Sequence, residues 1–325
     1  MLSFQEIEKI VEKSAKVVNH PSQPANLYAP IDYMLSIGGK RVRPILCLII
    51  YNLYSNNLDR NVIFPAFALE VFHEFTLIHD DIMDKSDTRR GQPTVHKKWN
   101  DNVALLSGDV MFILSYKYLA ECPSFCKSEV YDLFTKTAIE VCEGQQLDMD
   151  FENKSFITMD DYLGMISLKT AVLLACSAKM GAIMAGRPQK ECNALYDYGY
   201  QLGMAFQITD DYLDTFGDEK VFGKKIGGDI ANNKKTWLLV EAFKRADSAQ
   251  KARLSEIMSI GLWQKETKIQ QMQQLYVETG VKDAALSVIG DYYSKAMNAL
   301  APAGLNEEQT ARLGFFAEKI IGREK

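Results

Sequence analysis

Apolar residues recur along this chain at three- and four-residue intervals almost from end to end, as in Phe4, Ile7, Ile10 and Val11, while sustained two-residue alternation is missing. A period near 3.6 gathers residues on one face of an α-helix, whereas a half-buried strand needs a period of two. The pattern predicts an all-α fold. Segments 66–85, 128–150, 167–185 and 193–216 are apolar nearly all round, as expected of helices buried in the middle of a bundle. Breaks at Gly38-Gly39, Arg90-Gly91-Gln92-Pro93, Cys122-Pro123, Asn153-Lys154 and Gly186-Arg187-Pro188, and through the stretch 217–234, leave about ten helical segments. Ser3 with Glu6 and Thr158 with Asp161 form capping-box patterns, in which a hydroxyl and a carboxylate satisfy free amides of a first turn, so helices are expected near each.

The 325 residues contain no linker, repeat or low-complexity tract, and with 47% hydrophobic residues they can fill a large core. The expectation is one domain, 1–325. A net charge of -5 argues against nucleic acid as a partner, since phosphate-backbone binding wants a basic surface. The six cysteines lack zinc-site spacing and disulfide-scaffold density, so Cys122 and Cys126 are expected to be packing thiols. The N-terminal stretch alternates charged and apolar residues at helical spacing, unlike a signal peptide, and the longest apolar run, Ile45 to Tyr51, is far shorter than a bilayer span of about 20 residues. These features predict a cytoplasmic protein without stable membrane insertion.

Two Asp-Asp-x-x-Asp clusters, Asp80/Asp81/Asp84 and Asp210/Asp211/Asp214, lie in the apolar helices. A helical step of four residues puts Asp80 and Asp84, and likewise Asp210 and Asp214, on one face about 6 Å apart. Like charges so close repel, and burial sharpens the cost unless cations neutralise them. Oxygen-only ligation suits a hard ion such as Mg²⁺, which keeps waters and shares substrate phosphate oxygens. One such cluster alone is more often a solvated helix face. Here both are bracketed by apolar and aromatic residues, and two ladders facing each other would hold a polyphosphate through several metal ions.

Basic groups accompany the acids. Lys40, Arg41 and Arg43 sit in the loop Gly38 to Pro44, Arg89 and Arg90 follow the first cluster, and Lys224, Lys225, Lys234 and Lys235 follow the second. Arginine forks suit phosphate oxygens, and glycines let backbone come close, so Gly38 to Pro44 reads as an anion clamp at a helix start. His73 lies seven residues before Asp80, within about 40° of Asp80 and Asp84 on the helical wheel. Lys169-Thr170 is an odd pair for an apolar helix, since a buried lysine needs a partner.

These motifs resemble the trans-prenyl diphosphate synthases, whose pattern GGKRxRP, DDxxDxxxxRRG, GQxxD, KT, QxxDDxxD and GKxxGxD appears in order at Gly38 to Pro44, Asp80 to Gly91, Gly144 to Asp148, Lys169-Thr170, Gln207 to Asp214 and Gly223 to Asp229. The resemblance implies an isoprenoid synthase-like helical bundle around a central cavity, working as a homodimer. It implies condensation of isopentenyl diphosphate with an allylic diphosphate, with Mg²⁺ as cofactor, three ions when substrate is bound. Asp80, Asp84 and Asp210 would ligate metal, with Asp81, Asp211 and Asp214 in support. Lys40, Arg43, His73 and Arg90 would bind isopentenyl diphosphate. Arg89, Lys169, Thr170, Gln207, Lys224 and Lys234 would bind the allylic substrate, with Lys169, Thr170, Gln207 and Lys224 around its reacting carbon. Gln145 and Asp148 stand behind them.

By the same resemblance, Phe75 and Thr76, five and four residues before Asp80, with Phe72, would form a floor that limits the growing chain. That pattern ranks a geranylgeranyl (C20) product first, then farnesyl (C15), then longer chains. On an ideal wheel Phe75 points about 160° from the two aspartates, so the floor rests on the resemblance alone. A class I terpene cyclase would share an Asp-rich helix but needs no isopentenyl site. A non-catalytic modulatory subunit would be expected to have lost one cluster, and both are intact.

Overall fold

The computed structural model describes residues 1–16, 20–218 and 226–322. It is all-α apart from one two-residue hairpin, and it falls into two compact units, Met1–Thr135 with Cys176–Tyr196, and Lys136–Ala175 with Asp197–Lys325.

The first unit opens with α1 (Phe4–Lys16), α2 (Ala25–Ser36), α3 (Val42–Asn52) and α4 (Arg60–Met83). Ser3 caps α1 as expected, its hydroxyl accepting from Glu6 N–H while its own N–H donates to Glu6. All eleven residues of α3 are buried, including Arg43 and Asn52. Its third residue is Pro44, tolerated because a first-turn N–H has no helical partner to lose. Asp59 caps α4, accepting from Asn61 N–H at 2.9 Å. Strands β1 (Thr88–Arg89) and β2 (Gln92–Pro93) then pair antiparallel, followed by α5 (Val95–Lys98), α6 (Asp101–Leu119) and α7 (Lys127–Glu152), which runs on into the second unit. The hairpin was read in the sequence only as a break. Its loop is Arg90-Gly91, both left-handed (φ 52° and 74°), the two-residue turn whose twist matches paired strands.

The second unit contains α8 (Met159–Ile166), capped by the predicted Thr158/Asp161 box, and a π-helical stretch Ser167–Ala171 that leads into α9 (Val172–Met184). It also holds most of α10 (Gln189–Phe216) and then α11 (Gly228–Ala231), α12 (Trp237–Arg245), α13 (Ser248–Ser259), α14 (Lys265–Glu278), α15 (Val281–Ala299) and α16 (Glu307–Ile321). Its core joins Tyr162, Ile166, Ile208, Tyr212, Trp237 and Leu275 among others. Gly144 allows α7 to touch the π-helical stretch, since a Cβ there would stand 2.2 Å from the Lys169 backbone nitrogen.

One expectation is corrected. Helix α4 and the continuous run Met159–Met184 are each long and apolar enough to cross a membrane, although uninterrupted apolar runs are short. Scattered polar residues hide this from a run count, whereas mean hydropathy averages over them. In the fold 67% and 78% of these windows are buried inside the protein, where their apolar surface packs the core. All six cysteines are free, and burial pushes the Cys126 thiol up to about 12, in keeping with a packing role.

Candidate active site

The first unit assembles a cationic cradle at the start of α3. Gly38 is left-handed (φ 79°), as is Arg41 (φ 45°), the residue that caps α3, and Lys40 between them is exposed. Arg90 reaches this loop from the hairpin: one guanidinium nitrogen donates to Gly38 O and the other to Glu74 Oε1 at 2.9 Å. A Cβ on Gly39 would stand 2.8 Å from that guanidinium, so the glycine makes room for the arginine. A left-handed conformation costs a non-glycine residue about 1–2 kcal/mol, which these two contacts offset. Arg43 is buried beside Arg90 and two glutamates of α4, Glu70 and Glu74, each only 2% exposed. Burial and then Glu74 raise Glu70 to about 7, with Arg43, Arg90 and Arg41 opposing. His73, one residue before Glu74, is held well below its usual range by burial and by Arg43, Arg90 and Arg89, so it stands neutral and can donate a hydrogen bond to an anion.

The first aspartate cluster closes α4, with Asp84 as its last cap and its N–H donating to Asp80 O at 2.8 Å. Its three members face different surroundings. Asp81 is 2% exposed and accepts two hydrogen bonds from Arg89, whereas Asp80 and Asp84 are partly exposed. Burial raises Asp81, and Arg89 works against that rise. Arg89 lies 3.6 Å from Asp80 as well, so one cation links two members of the cluster.

Before this cluster α4 presents aromatic rings. Phe72 is fully buried and meets Phe75 (5.1 Å between centroids), Phe134 (5.2 Å) and Phe112 (6.1 Å). Phe75 also packs on Phe112 and His79 at 5.3 Å each. Thr76 turns its hydroxyl back onto His73 O at 2.7 Å.

The second unit centres on α10. Asp211, 4% exposed, accepts hydrogen bonds from Tyr162 OH (2.6 Å), Trp237 N–H (2.8 Å) and Gln207 Nε2 (3.0 Å). Even so, burial raises it to about 6. Gln207 is thereby oriented with its carbonyl outward from Asp211, where Thr170 donates to Oε1 at 2.8 Å. The preceding Lys169 donates to Asp148 at 2.6 Å. Both come from the π-helical stretch, a local widening of the helix frequent at functional sites. Asp214 accepts from the Asp229 backbone N–H at 2.9 Å and so holds the start of α11. Asp229 is pushed well above the usual carboxylate range by burial, Asp214 and Asp211, with Lys234 opposing.

The predicted residues therefore gather within each unit: Arg43, His73, Arg89, Arg90 and the first cluster in one, and Lys169, Thr170, Gln207, Lys234 and the second cluster in the other. Lys224 lies outside the described residues. Sequence reasoning missed Glu70, Glu74 and Tyr162. The two glutamates had a readable signal, carboxylates one turn apart in an apolar run, which are rarely buried without a cationic partner. Tyr162 had none, because an apolar helix offers a tyrosine many neighbours.

Among the described residues no three carboxylates, imidazoles or thiols converge as a metal site. Each cluster does keep one partly exposed carboxylate pair at four-residue spacing, Asp80 with Asp84 and Asp210 with Asp214.

A family model described as polyprenyl synthetase matches residues 24–278. The short chain isoprenyl diphosphate synthase of Methanocaldococcus jannaschii is 41% identical over 253 residues, 78% of this chain and 76% of its own length. The geranylgeranyl diphosphate synthase of Sulfolobus acidocaldarius is 34% identical over 306 residues, 92% of this chain and 91% of its own. A crystal structure of geranylgeranyl pyrophosphate synthase superposes with a TM-score of 0.94 at 39% identity, covering 100% of both chains.

Proposed function

The chain belongs to the polyprenyl synthetase family and is a prenyl transferase, and from that premise we propose that it condenses isopentenyl diphosphate with allylic diphosphates to a geranylgeranyl product. The observation that carries the reading is the pairing of Arg90 with Gly38 O and Glu74 beside buried Arg43, a cradle of fixed cations for the diphosphate of a second substrate. A terpene cyclase, with one substrate, has no use for it. Omitting isopentenyl diphosphate from an assay with an allylic substrate tests the distinction: the reading predicts no elongated product, and turnover to a hydrocarbon without it would favour the cyclase.

The oxygen-only donors and the surplus of acids around Asp229 fit Mg²⁺. Asp80 and Asp84 would hold it in one unit and Asp210 in the other, with Asp81, Asp211 and Asp214 in support. Bound Mg²⁺ supplies Lewis-acid stabilisation of negative charge on a departing diphosphate. The chain's own residues do the rest. In the first unit Arg89, fixed by Asp81, would offer a preset cation to a diphosphate, and in the second unit Lys169, fixed by Asp148, would offer another. The Thr170 and Gln207 oxygens, joined by a hydrogen bond, would stabilise the positive charge that develops on the allylic carbon. Arg43, Arg90 and neutral His73 would hold isopentenyl diphosphate while its double bond attacks, after which the released diphosphate would take the proton whose loss restores an alkene.

A C20 product follows from Phe75 as the floor, backed by Phe72 and Phe112. Homodimer formation is supported by Leu105, Leu106 and Ile113 of α6, which are 51%, 56% and 64% exposed, an apolar surface that a second copy would cover. Sedimentation of the intact chain tests it: a monomer would refute the pairing.

A further inference from the structure

Glu70 and Glu74 have no part in making or breaking bonds, yet both are buried one helical turn apart. Two carboxylates so placed repel through a medium that screens them poorly. Glu74 Oε1 accepts from Arg90, and the Oε2 atom of each acid is enclosed without a hydrogen-bond partner. Glu70 faces Glu74 on its own helix, Arg41 and Arg43 at the start of α3, and Arg90 from the hairpin. Glu74 faces Arg90, Arg89 and Arg43. His73 between them is neutral and adds no charge. An enclosed carboxylate oxygen with nothing to accept from favours a bound proton, and burial raises both acids despite the arginines.

We propose that Glu70 and Glu74 are positioning residues that share one proton behind the Arg43 and Arg90 cradle, and that a diphosphate settling on the cradle draws this proton in from solvent. The proposal rests on the reading of Arg43 and Arg90 as ligands of isopentenyl diphosphate. A guanidinium whose charge is partly neutralised by phosphate oxygens offsets the glutamates less, so the pair holds a proton more tightly once substrate is bound. Linkage makes the effect reciprocal: where the free pair has lost its proton, binding must recover it and weakens. The arrangement favours isopentenyl diphosphate at neutral pH and below.

The test is the KM of each substrate from pH 6 to 9 for the full-length Mg²⁺-loaded enzyme and for Glu70→Gln, a neutral mimic of the protonated acid. For wild type, KM for isopentenyl diphosphate rises above pH 7, approaching about tenfold per pH unit, while KM for the allylic diphosphate, whose phosphates titrate alike, does not share the rise. In Glu70→Gln the rise is lost, so that the variant binds isopentenyl diphosphate more tightly than wild type at pH 8.5. Glu74→Ala raises that KM at every pH and Glu74→Gln, which keeps an acceptor for Arg90, restores most of it. An equal slope in wild type and Glu70→Gln, or an equal rise for both substrates, overturns the proposal. Independently of any variant, calorimetry of isopentenyl diphosphate binding to wild type at pH 7.5 in buffers of different ionisation enthalpy should show proton uptake, and none would overturn it. Absence of any isopentenyl-dependent product at every pH would instead refute the underlying reading.

Discussion

Arg89 meets Asp81 through two parallel hydrogen bonds of 2.8 Å each, from Nε and from a terminal nitrogen. Both oxygens of Asp81 are thus engaged inside the protein, and the first cluster divides its labour: Asp81 is buried and orients a cation, whereas Asp80 and Asp84 are partly exposed. Asp211 is likewise engaged inside the protein in the second cluster, by the neutral donors of Tyr162, Trp237 and Gln207. In each motif the second aspartate is an anchor.

Replacing Asp81 by Asn puts an amide N–H against the Arg89 fork. Breaking one half of a buried pair costs about 3–5 kcal/mol, so chemical denaturation should show a loss of that order. Steady-state kinetics should show KM for the allylic diphosphate rising about tenfold or more, equivalent to one charge-assisted contact of roughly 1.4 kcal/mol, with KM for isopentenyl diphosphate changed less. An unchanged allylic KM would separate Arg89 from that substrate.

Gly144→Ala would place a methyl 2.2 Å from the Lys169 backbone nitrogen. Backbone cannot yield as a side-chain tip can, so the π-helical stretch must shift, carrying Lys169 and Thr170 with it. We expect a stability loss of about 1–3 kcal/mol by calorimetry and a fall in kcat larger than the rise in either KM. Gly164→Ala, where a Cβ meets nothing, is the control.

Phe75→Ala removes the ring that spans Phe72, Phe112 and His79, and should lengthen the product as sized by chromatography. Phe72→Ala acts elsewhere: truncating a fully buried ring costs about 3–5 kcal/mol, so its first effect should be on the melting temperature. An unchanged product spectrum in Phe75→Ala would remove the floor.

Asp211 is raised to about 6 from its ordinary value of 3.8. A carboxyl that binds its proton more tightly folded than unfolded stabilises the fold below pH 4, and that contribution is lost as pH rises through 6. In metal-free protein the stability of wild type relative to Asp211→Asn should therefore fall between pH 4 and 6 and level off above. A difference that grows with pH over that window would contradict the burial argument.

Much of the fold was legible. Helical spacing gave α1, α4, α7, α9 and α10, and the capping boxes at Ser3 and Thr158 marked helix starts that the structure places there. The two clusters and the arginines were legible because acids and cations are conspicuous in apolar helices. Spacing fixes direction about one helix axis but not which neighbours cover each face, so the inward turn of Asp81 and Asp211 could not be read. Nor could the packing of Phe75 against Phe112, which comes from α6. The Arg90-Gly91 turn needed a left-handed arginine, which its contacts with Gly38 and Glu74 hold in place and local preference does not foretell.

The most direct measurement incubates the protein with Mg²⁺, isopentenyl diphosphate and each allylic starter in turn, then sizes the dephosphorylated products. The account predicts that isopentenyl diphosphate is consumed with every starter shorter than C20 and that C20 alcohol accumulates. Products formed without isopentenyl diphosphate, or chains that stop at C15 or run past C20, would contradict it.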